Sequence, residues 1–165
     1  MYTGQGYSTR SYTLAGSGEP ARVPGSSASA ALFKVLGVEA ARGQLYTEDE
    51  ERRGADLVAV LSHNSWQRRF QADPDIVGRP LVLDGRPHTV VGVLPRGFHF
   101  PDQDTEIWTP LILEMPRGHR TGQLMLIAFE GIARLKDGVA LETVQAEGQT
   151  ILQRLREERQ GAAAA

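Results

Sequence analysis

Short apolar stretches separated by glycine, proline and polar turns dominate the hydrophobicity pattern of the chain. The continuous apolar run Leu57–Leu61 is typical of a strand that is buried on both faces. Two further stretches, Leu81–Leu83 and His88–Val91, flank the dipeptide Asp84-Gly85, which favours a two-residue hairpin turn. The pattern therefore predicts strands in the middle of the chain and a β-hairpin among them.

Helical periodicity is found in three other segments. A short helix is predicted over Ser29–Leu36, and Gly37 is suited to end it. Ser62 is a good N-cap for a helix over His63–Gln71, because a serine hydroxyl can accept a bond from a free amide of the first turn. Leu141–Arg159 carries an apolar stripe at helical spacing. Helices and strands alternate irregularly, a pattern that agrees with an α+β fold.

The candidate core consists of the densest apolar and aromatic positions on these elements. They are Leu57, Val60, Trp66, Phe70, Val90, Val91 and Trp108. Aromatic side chains bury large apolar areas, so the two tryptophans are interpreted as core anchors. Asp84 and Gly85 are the candidate turn residues.

Composition and charge exclude several classes of function. The chain has 165 residues, enough for one domain, and 18 Lys+Arg against 20 Asp+Glu give a net charge of -2. A nearly neutral chain argues against a general nucleic-acid binder, which needs a basic face. The absence of cysteine excludes disulfides, cysteine nucleophiles and cysteine-based zinc sites. No apolar run reaches the roughly 20 residues of a membrane-spanning helix.

The sequence offers only weak evidence for a metal site. The four histidines lack metal-ligand spacing on any one element. Asp102, Asp104 and Glu106 imitate the start of a calcium loop, but Ile107 and Leu113 stand where that loop needs its glycine and its final glutamate. A solvated acidic loop is the better interpretation, and we assign no metal ligand.

The evidence for a catalytic site or a nucleotide-binding site is equally weak. Ser62-His63 lacks the Gly-x-Ser-x-Gly context of a nucleophile, so Ser62 is interpreted as a helix cap. Gly16-Ser17-Gly18 lacks the Gly-Lys-Ser/Thr of a phosphate loop. We therefore assign no catalytic residue and no cofactor.

Several segments in order resemble the MacB-like periplasmic core domain of ATP-binding-cassette permeases of the MacB/FtsX type. The central block is VAVLSHNSWQRRFQADPDIVGRPLVLDGRPHTVVGVLPRGFHFP, followed by EIWTPL. An N-terminal segment, GSGEPARVPGSSASAALFKVLGVEAARGQLYTEDE, and a C-terminal one, IARLKDGVALETVQAEGQTILQRL, resemble the same family. One departure is Ala140, where the family usually has a serine or threonine that caps the last helix.

The resemblance implies a single extracytoplasmic domain over residues 1–165. It implies an α+β fold with a porter-like lobe of βαβ pieces, which we place at 1–46 plus 119–160. An inserted small α/β lobe with the β-hairpin is placed at 47–118. Membrane helices are expected on both sides of the segment.

The function implied by the resemblance is non-catalytic. The domain would couple ATP-driven movement of membrane helices to export or to envelope partners, at the extracytoplasmic face of the inner membrane. Implied partners are the membrane helices of the same permease, a cytoplasmic ATPase acting indirectly, and a periplasmic adaptor or a second permease copy; nucleic acid is not among them.

Two alternatives come from other classes. The first is a stand-alone domain that binds a small molecule in an apolar pocket between the lobes. The second is a hydrolase that uses His63 or His99 with a nearby acid, although the sequence shows no paired nucleophile and base.

Overall fold

The computed structural model describes residues 2–16, 19–52, 54–112 and 130–163. Over these residues the chain forms three helices and eight strands, so the fold class is α+β as predicted. In chain order they are β1 Tyr2–Ala15, β2 Ala21–Ala28, α1 Ala30–Leu36, β3 Arg42–Gly43, β4 Val58–Leu61, α2 His63–Arg69, β5 Pro80–Leu83, β6 Arg86–Val93, β7 Ile107–Pro110, β8 Glu130–Leu135 and α3 Leu141–Ala163.

Six strands close on themselves as a small barrel. Its circuit runs β1, β2, β7, β4, β6 and β5, and β5 returns to β1. The β2–β7 and β4–β6 pairs are parallel, whereas the other neighbours are antiparallel. Strand β8 lies beside β1, and β3 pairs with β6 outside the circuit. Closing the circuit satisfies backbone hydrogen bonds that an open sheet edge would leave free.

The barrel closes through a short seam between β1 and β5. The strands pair at Leu14 with Leu83 and at Ala15 with Val82. The hairpin turn extends the seam, because the Asp84 amide donates to the carbonyl oxygen of Thr13 over 2.9 Å. The turn and the first strand therefore hold each other in place.

One apolar cluster fills the barrel and takes side chains from all six strands. Trp66 of α2 and Ile76, from the segment after α2, join it, and Phe70 packs against it. Since α2 follows β4 directly, the helix packs at the far end of that strand. The strand members of this cluster are Tyr12, Leu14, Val23, Ala59, Leu61, Leu81, Leu83, Val90, Val93 and Ile107.

A second apolar cluster lies on the other face of β4 and β7. Val58 and Val60 of β4 alternate with the inward Ala59 and Leu61, as successive strand residues point to opposite faces. Both faces of β4 are thus buried, which explains its continuous apolar sequence. Helix α1 covers this face with Leu32 and Phe33, and the cluster also contains Tyr46, Leu94 and Trp108.

Two residues that the sequence indicated as helix caps, Ser62 and Gly37, cap helices in the structure. The Ser62 hydroxyl accepts a hydrogen bond from the Ser65 amide over 2.9 Å, so it caps α2. Gly37 follows α1 with φ 69° and donates its amide to the carbonyl oxygen of Lys34. A left-handed glycine at this position is the usual way to end a helix.

Six of the seven candidate core residues belong to the two clusters or pack against them, and Leu57 does not. Val60, Trp66, Val90 and Trp108 are buried. The other three are only partly buried: Leu57 precedes β4, Phe70 ends α2, and Val91 packs against the outer cluster. Asp84 and Gly85 occupy the turn between β5 and β6.

The expected lobe boundary at residue 47 does not coincide with a break in the sheet. Strands β1 and β2, from 1–46, pair directly with β5 and β7, from 47–118. The two lobes with these bounds stay a prediction. By its own contacts, the described chain forms two compact units, Gln5–Ile132 and Met1–Gly4 with Ala133–Ala165. Residues 113–129, divided between the two expected lobes, lie outside the described residues.

Candidate functional site

A cavity of about 370 Å³, lined by both polar and apolar residues, opens at one end of the barrel. We call it the barrel-end basin. Along β1 the inward positions change from apolar Leu14 to Tyr12, Arg10 and Ser8, so the interior becomes polar toward this end. Its wall also includes Ser27 of β2, Thr109 of β7, and Arg86 and His88 of β6. Three carboxylates, those of Glu50, Asp56 and Asp84, line it as well. Barrel mouths with convergent polar groups are common ligand sites.

Three buried hydroxyl groups from three strands meet in this basin. The Tyr12 hydroxyl lies 2.8 Å from Oγ1 of Thr109 and 3.2 Å from Oγ of Ser27. Oγ of Ser27 and Oγ1 of Thr109 are themselves 3.2 Å apart. We call this group the hydroxyl triangle. Each hydroxyl has one proton and two lone pairs, so the group can satisfy its own donors without a charged partner.

Gly25 makes room for the Tyr12 ring. A Cβ at this position would collide with the ring and would lie 2.8 Å from the carbonyl oxygen of Ile107. Gly25 pairs with Arg10 of β1 and with Ile107 of β7, between two strands of the circuit. The missing side chain therefore lets the tyrosine cross the barrel and reach the other hydroxyls.

Arg10 and Asp84 connect β1 to the hairpin turn at the rim of the basin. The Arg10 guanidinium lies 4.7 Å from the centroid of the Tyr12 ring and 3.4 Å from Oδ2 of Asp84. The Thr13 amide donates to Oδ1 of Asp84 over 2.8 Å. Both charged groups are exposed, so the ion pair adds little stability, and its main effect is to orient the turn.

His88 contributes a neutral ring to the basin. Burial lowers the pKa of His88, and the charge of Arg86 adds to this, while the bond to the Arg86 carbonyl opposes it. Nδ1 lies 2.9 Å from that carbonyl oxygen. A carbonyl can only accept, so Nδ1 carries the proton and Nε2 remains an acceptor. Among the described residues, Arg86 has no ion-pair partner.

A second cavity, of about 410 Å³, lies near the opposite ends of β1 and β5. Phe70, Ile76 and Leu81 supply its apolar lining. Its two guanidinium groups, those of Arg69 and Arg79, are each paired with a carboxylate. Because its charges are already neutralised, this cavity offers a ligand fewer free polar groups than the barrel-end basin does.

Glu106 is not the solvated loop residue that the sequence indicated. It is 8% exposed, receives hydrogen bonds from Arg69, and accepts a further one from Oγ of Ser65 over 3.1 Å. Asp102 instead folds its own loop, with Oδ1 accepting from the Thr105 amide over 2.8 Å. Among the described residues, no group of three or more acidic or histidine side chains could hold a metal ion.

The histidines proposed for a hydrolase are poorly placed for catalysis. His63 packs edge-on against Trp66, and among the described residues its buried Nε2 has no hydrogen-bond partner. Burial lowers the pKa of His63, and the charges of Arg96 and Arg42 lower it further. The neighbouring charges are therefore cationic, whereas a catalytic base needs a carboxylate or carbonyl to orient it. His99 is exposed.

Sequence reasoning missed the residues of the barrel-end basin. Ser27 and Thr109 lie on short strands whose other inward residues, Val23 and Ile107, are apolar. A polar residue that interrupts an inward apolar alternation is the signal that could have marked them. This signal can be recognised only once it is known which residues of each strand point into the barrel. Neither β2 nor β7 shows a clear alternation of apolar and polar residues by itself.

Sequence comparison identifies relatives in one family. The family model of the MacB-like periplasmic core domain matches residues 3–151. A probable syringafactin export ATP-binding/permease protein of Pseudomonas syringae pv. syringae is 31% identical over 132 residues, which is 78% of this chain and 19% of that protein. A macrolide export ATP-binding/permease protein, MacB, of Burkholderia pseudomallei is 33% identical over 81 residues, 48% of this chain and 12% of that protein. The chain thus spans about a fifth or less of the length of these curated relatives.

Solved structures share the fold. The periplasmic region of MacB from Actinobacillus actinomycetemcomitans superimposes with a TM-score of 0.72 at 19% identity, covering 93% of this chain and 66% of that one. A domain of a permease protein from Porphyromonas gingivalis gives a TM-score of 0.61 at 18% identity, covering 92% and 69% of the two chains. Within the described residues, no helix is long and apolar enough to cross a membrane.

Proposed function

Because this chain belongs to the family of MacB-like periplasmic core domains, we propose that it is the extracytoplasmic domain of an ATP-driven export permease. In this role the domain has no catalytic activity of its own. It couples the movement of membrane helices, driven by a cytoplasmic ATPase, to export or to partners in the cell envelope. A periplasmic adaptor or a second copy of the permease is a further partner in this proposal.

The match of the family model over residues 3–151 carries the proposal, since it spans both compact units. The curated relatives named above are export ATP-binding/permease proteins. The architecture also supports it. Met1–Gly4 and Ala133–Ala165 belong to the same compact unit. A domain inserted between neighbouring membrane helices needs such an arrangement, because helix axes pack only about 8–10 Å apart.

Topology labelling tests the location. This chain contains no cysteine, so Asp104→Cys in an exposed loop gives a unique reporter within it. In spheroplasts that express the full-length protein, a membrane-impermeant maleimide is expected to label Asp104→Cys. A cysteine placed in the ATP-binding domain serves as the protected control. Recovery of the full-length protein from the cytosol, with the reporter protected in spheroplasts, would favour a stand-alone binding domain.

Replacement of the domain tests coupling. A full-length variant with a Gly/Ser linker in place of residues 5–132 is expected to retain basal ATP hydrolysis and lose export. Arg22→Gln, on an exposed position of β2, is the matched point variant and is expected to export normally. Normal export by the linker variant would contradict the proposed role.

A further inference from the structure

We propose that the surface around Trp66 binds a carboxylate-rich segment of a partner protein. This surface consists of Arg42 of β3, His63 and Trp66 of α2, and Arg96, which follows β6; we call it the Trp66 surface. The arrangement that carries the inference is an arginine stacked on the indole near a second arginine. Neither has an ion-pair partner among the described residues. The site shares no residue with the barrel-end basin and does not depend on the coupling role.

Arg42 is held in a defined position by Trp66. Its guanidinium lies 4.7 Å from the centroid of the indole ring, close enough for a cation–π contact. The ring is itself fixed, because Trp66 is buried and its Nε1 donates to the carbonyl oxygen of Asp73 over 2.8 Å. Arg42 is exposed, so the N–H groups at the edges of its guanidinium are accessible to a carboxylate. An arginine that is already ordered loses less entropy when a ligand binds.

A second arginine and a histidine extend the surface. The His63 ring packs edge-on against Trp66, with the two ring centroids 5.3 Å apart. Burial lowers the pKa of His63 most, and the charges of Arg96 and Arg42 lower it further. Among the described residues, no carboxylate opposes this effect on His63. Both arginines therefore lie near the same ring, and the charge around it is positive.

The neighbouring carboxylates of the described chain do not neutralise the two arginines. Glu39, three positions before Arg42, forms no ion pair with either of them. Asp73 is paired with another arginine, and Asp102 accepts hydrogen bonds within its own loop. The ion pairs of the described residues involve other arginines, namely Arg10, Arg52, Arg68, Arg69 and Arg79. The Trp66 surface is therefore complementary to carboxylates supplied by another molecule.

The number and type of side chains favour a protein partner. Electrostatic binding to an anionic membrane typically needs a cluster of about 4–8 Lys or Arg side chains, whereas this surface has Arg42 and Arg96 alone. Tryptophan and arginine are enriched among the residues that dominate the binding energy of protein interfaces. A segment with several carboxylates can pair with both arginines at once, which a monovalent free anion such as acetate cannot do.

Titration followed by NMR tests the surface, because the chain has two tryptophans and each gives one indole N–H signal. The probe is the peptide acetyl-Glu-Ser-Glu-Ser-Glu-amide, added at low salt so that the charges are not screened. The Trp66 signal is expected to shift saturably, while the signal of Trp108, in the second apolar cluster, stays in place. Binding is expected to be at least about tenfold tighter than that of the matched glutamine peptide and of acetate.

Point variants locate binding on the Trp66 surface. Arg42→Gln and Arg96→Gln, both at exposed positions, are each expected to weaken binding of the glutamate peptide about tenfold. Arg22→Gln removes an exposed arginine elsewhere, on β2, and is expected to leave binding unchanged. An unchanged Trp108 signal in each free variant shows that the fold is intact. No saturable shift of the Trp66 signal in the parent chain, or unchanged affinity in Arg42→Gln, would overturn the proposal.

Two further measurements separate a protein segment from other anions. Inorganic phosphate is expected to bind about tenfold more weakly than the glutamate peptide. Equal affinity for phosphate would indicate a general anion site and would contradict the proposal. Vesicles of phosphatidylglycerol are expected to sediment without the chain. Sedimentation of the parent chain with these vesicles, lost in Arg42→Gln, would assign the surface to the membrane instead.

Discussion

Arg69 of α2 holds the nearly buried carboxylate of Glu106, with Nη2 of the arginine 3.0 Å from Oε1 of the glutamate. A second bond joins Nε of Arg69 to Oε2 of Glu106. Glu106 directly precedes β7, and its carbonyl oxygen accepts the Ser62 amide over 2.8 Å. The pair therefore ties the end of α2 to the strand that lies between β2 and β4.

Breaking this pair is expected to destabilise the fold. Arg69→Gln leaves Glu106 with one fewer cation in a site where its side chain is only 10% exposed. Fully buried pairs lose about 3–5 kcal/mol when one partner is removed, and exposed pairs about 0–1 kcal/mol. Because Arg69 is partly exposed, we expect a loss of about 1–3 kcal/mol in urea denaturation.

Arg68 provides the matched control for Arg69. Its Nη2 lies 3.9 Å from Oε1 of Glu106, but its side chain is 71% exposed. Arg68→Gln is expected to cost less than about 0.5 kcal/mol, because solvent screens the contact. Equal losses in the two variants would show that net charge, rather than the geometry of the Arg69 pair, determines the effect.

The same pair makes stability depend on pH in the acidic range. Burial raises the pKa of Glu106, but the hydrogen bond and charge of Arg69, with a bond from Ser65, outweigh burial and hold the pKa below its ordinary value of 4.5. The unfolded chain therefore binds more protons than the folded chain as the pH falls through this range. The stabilisation is complete above the ordinary value and is lost as the pH falls through the folded-state pKa.

Urea denaturation of the parent chain and of Glu106→Gln at about pH 5.5 and about pH 3.5 measures this effect. We expect the parent chain to lose more stability between the two conditions than the variant does. Other carboxylates with lowered pKa values, such as Asp73, titrate in both proteins and cancel in the comparison. Identical pH dependence of the two proteins would exclude Glu106 as a source.

The sequence was sufficient for features specified by neighbouring residues. The apolar run that contains β4, the turn at Asp84 and Gly85, and the Ser62 cap all depend on contacts within a few positions. It was insufficient where partners are far apart. Nothing near Glu106 in the sequence indicates Arg69, 37 positions earlier, so the residue looked like part of a solvated acidic loop.

The candidate site was harder to predict than the fold class for the same reason. The hydroxyl triangle joins residues from β1, β2 and β7, and its geometry depends on the parallel pairing of β2 with β7. That pairing links Gly25 to Ile107 across most of the chain, and no local pattern specifies it. Family resemblance supplied the fold class and the functional class, but no position in the basin.

The hairpin turn gives a prediction about backbone strain. Asp84 has φ 50° and Gly85 has φ 77°, as a two-residue turn of this kind requires. A Cβ at Gly85 would meet nothing within 4 Å, so Gly85→Ala introduces backbone strain without a clash. We expect a loss of about 1–2 kcal/mol in urea denaturation. Gly85→Asn is the control, and it should cost less because asparagine tolerates the left-handed region. A larger loss for asparagine than for alanine would contradict this explanation.

The fit of Gly25 against the Tyr12 ring predicts a coupled pair of substitutions. Gly25→Ala places a Cβ against the ring and 2.8 Å from the Ile107 carbonyl oxygen, between strands that cannot separate easily. Overpacking usually costs about 1–3 kcal/mol, and a backbone neighbour puts this case at about 3 kcal/mol. Gly148→Ala is the control, since a Cβ there meets nothing within 4 Å and alanine favours the helix.

Removing the ring should relieve part of the cost at Gly25. In a double-mutant cycle measured by urea denaturation, Gly25→Ala in a Tyr12→Ala background is expected to cost about 1 kcal/mol less than in the parent chain, because contacting residues are not additive. The remaining cost comes from the Ile107 carbonyl, which the second substitution does not move. Strictly additive losses would mean that the ring has room to shift. The reach of Tyr12 to Ser27 and Thr109 would then not depend on glycine at position 25.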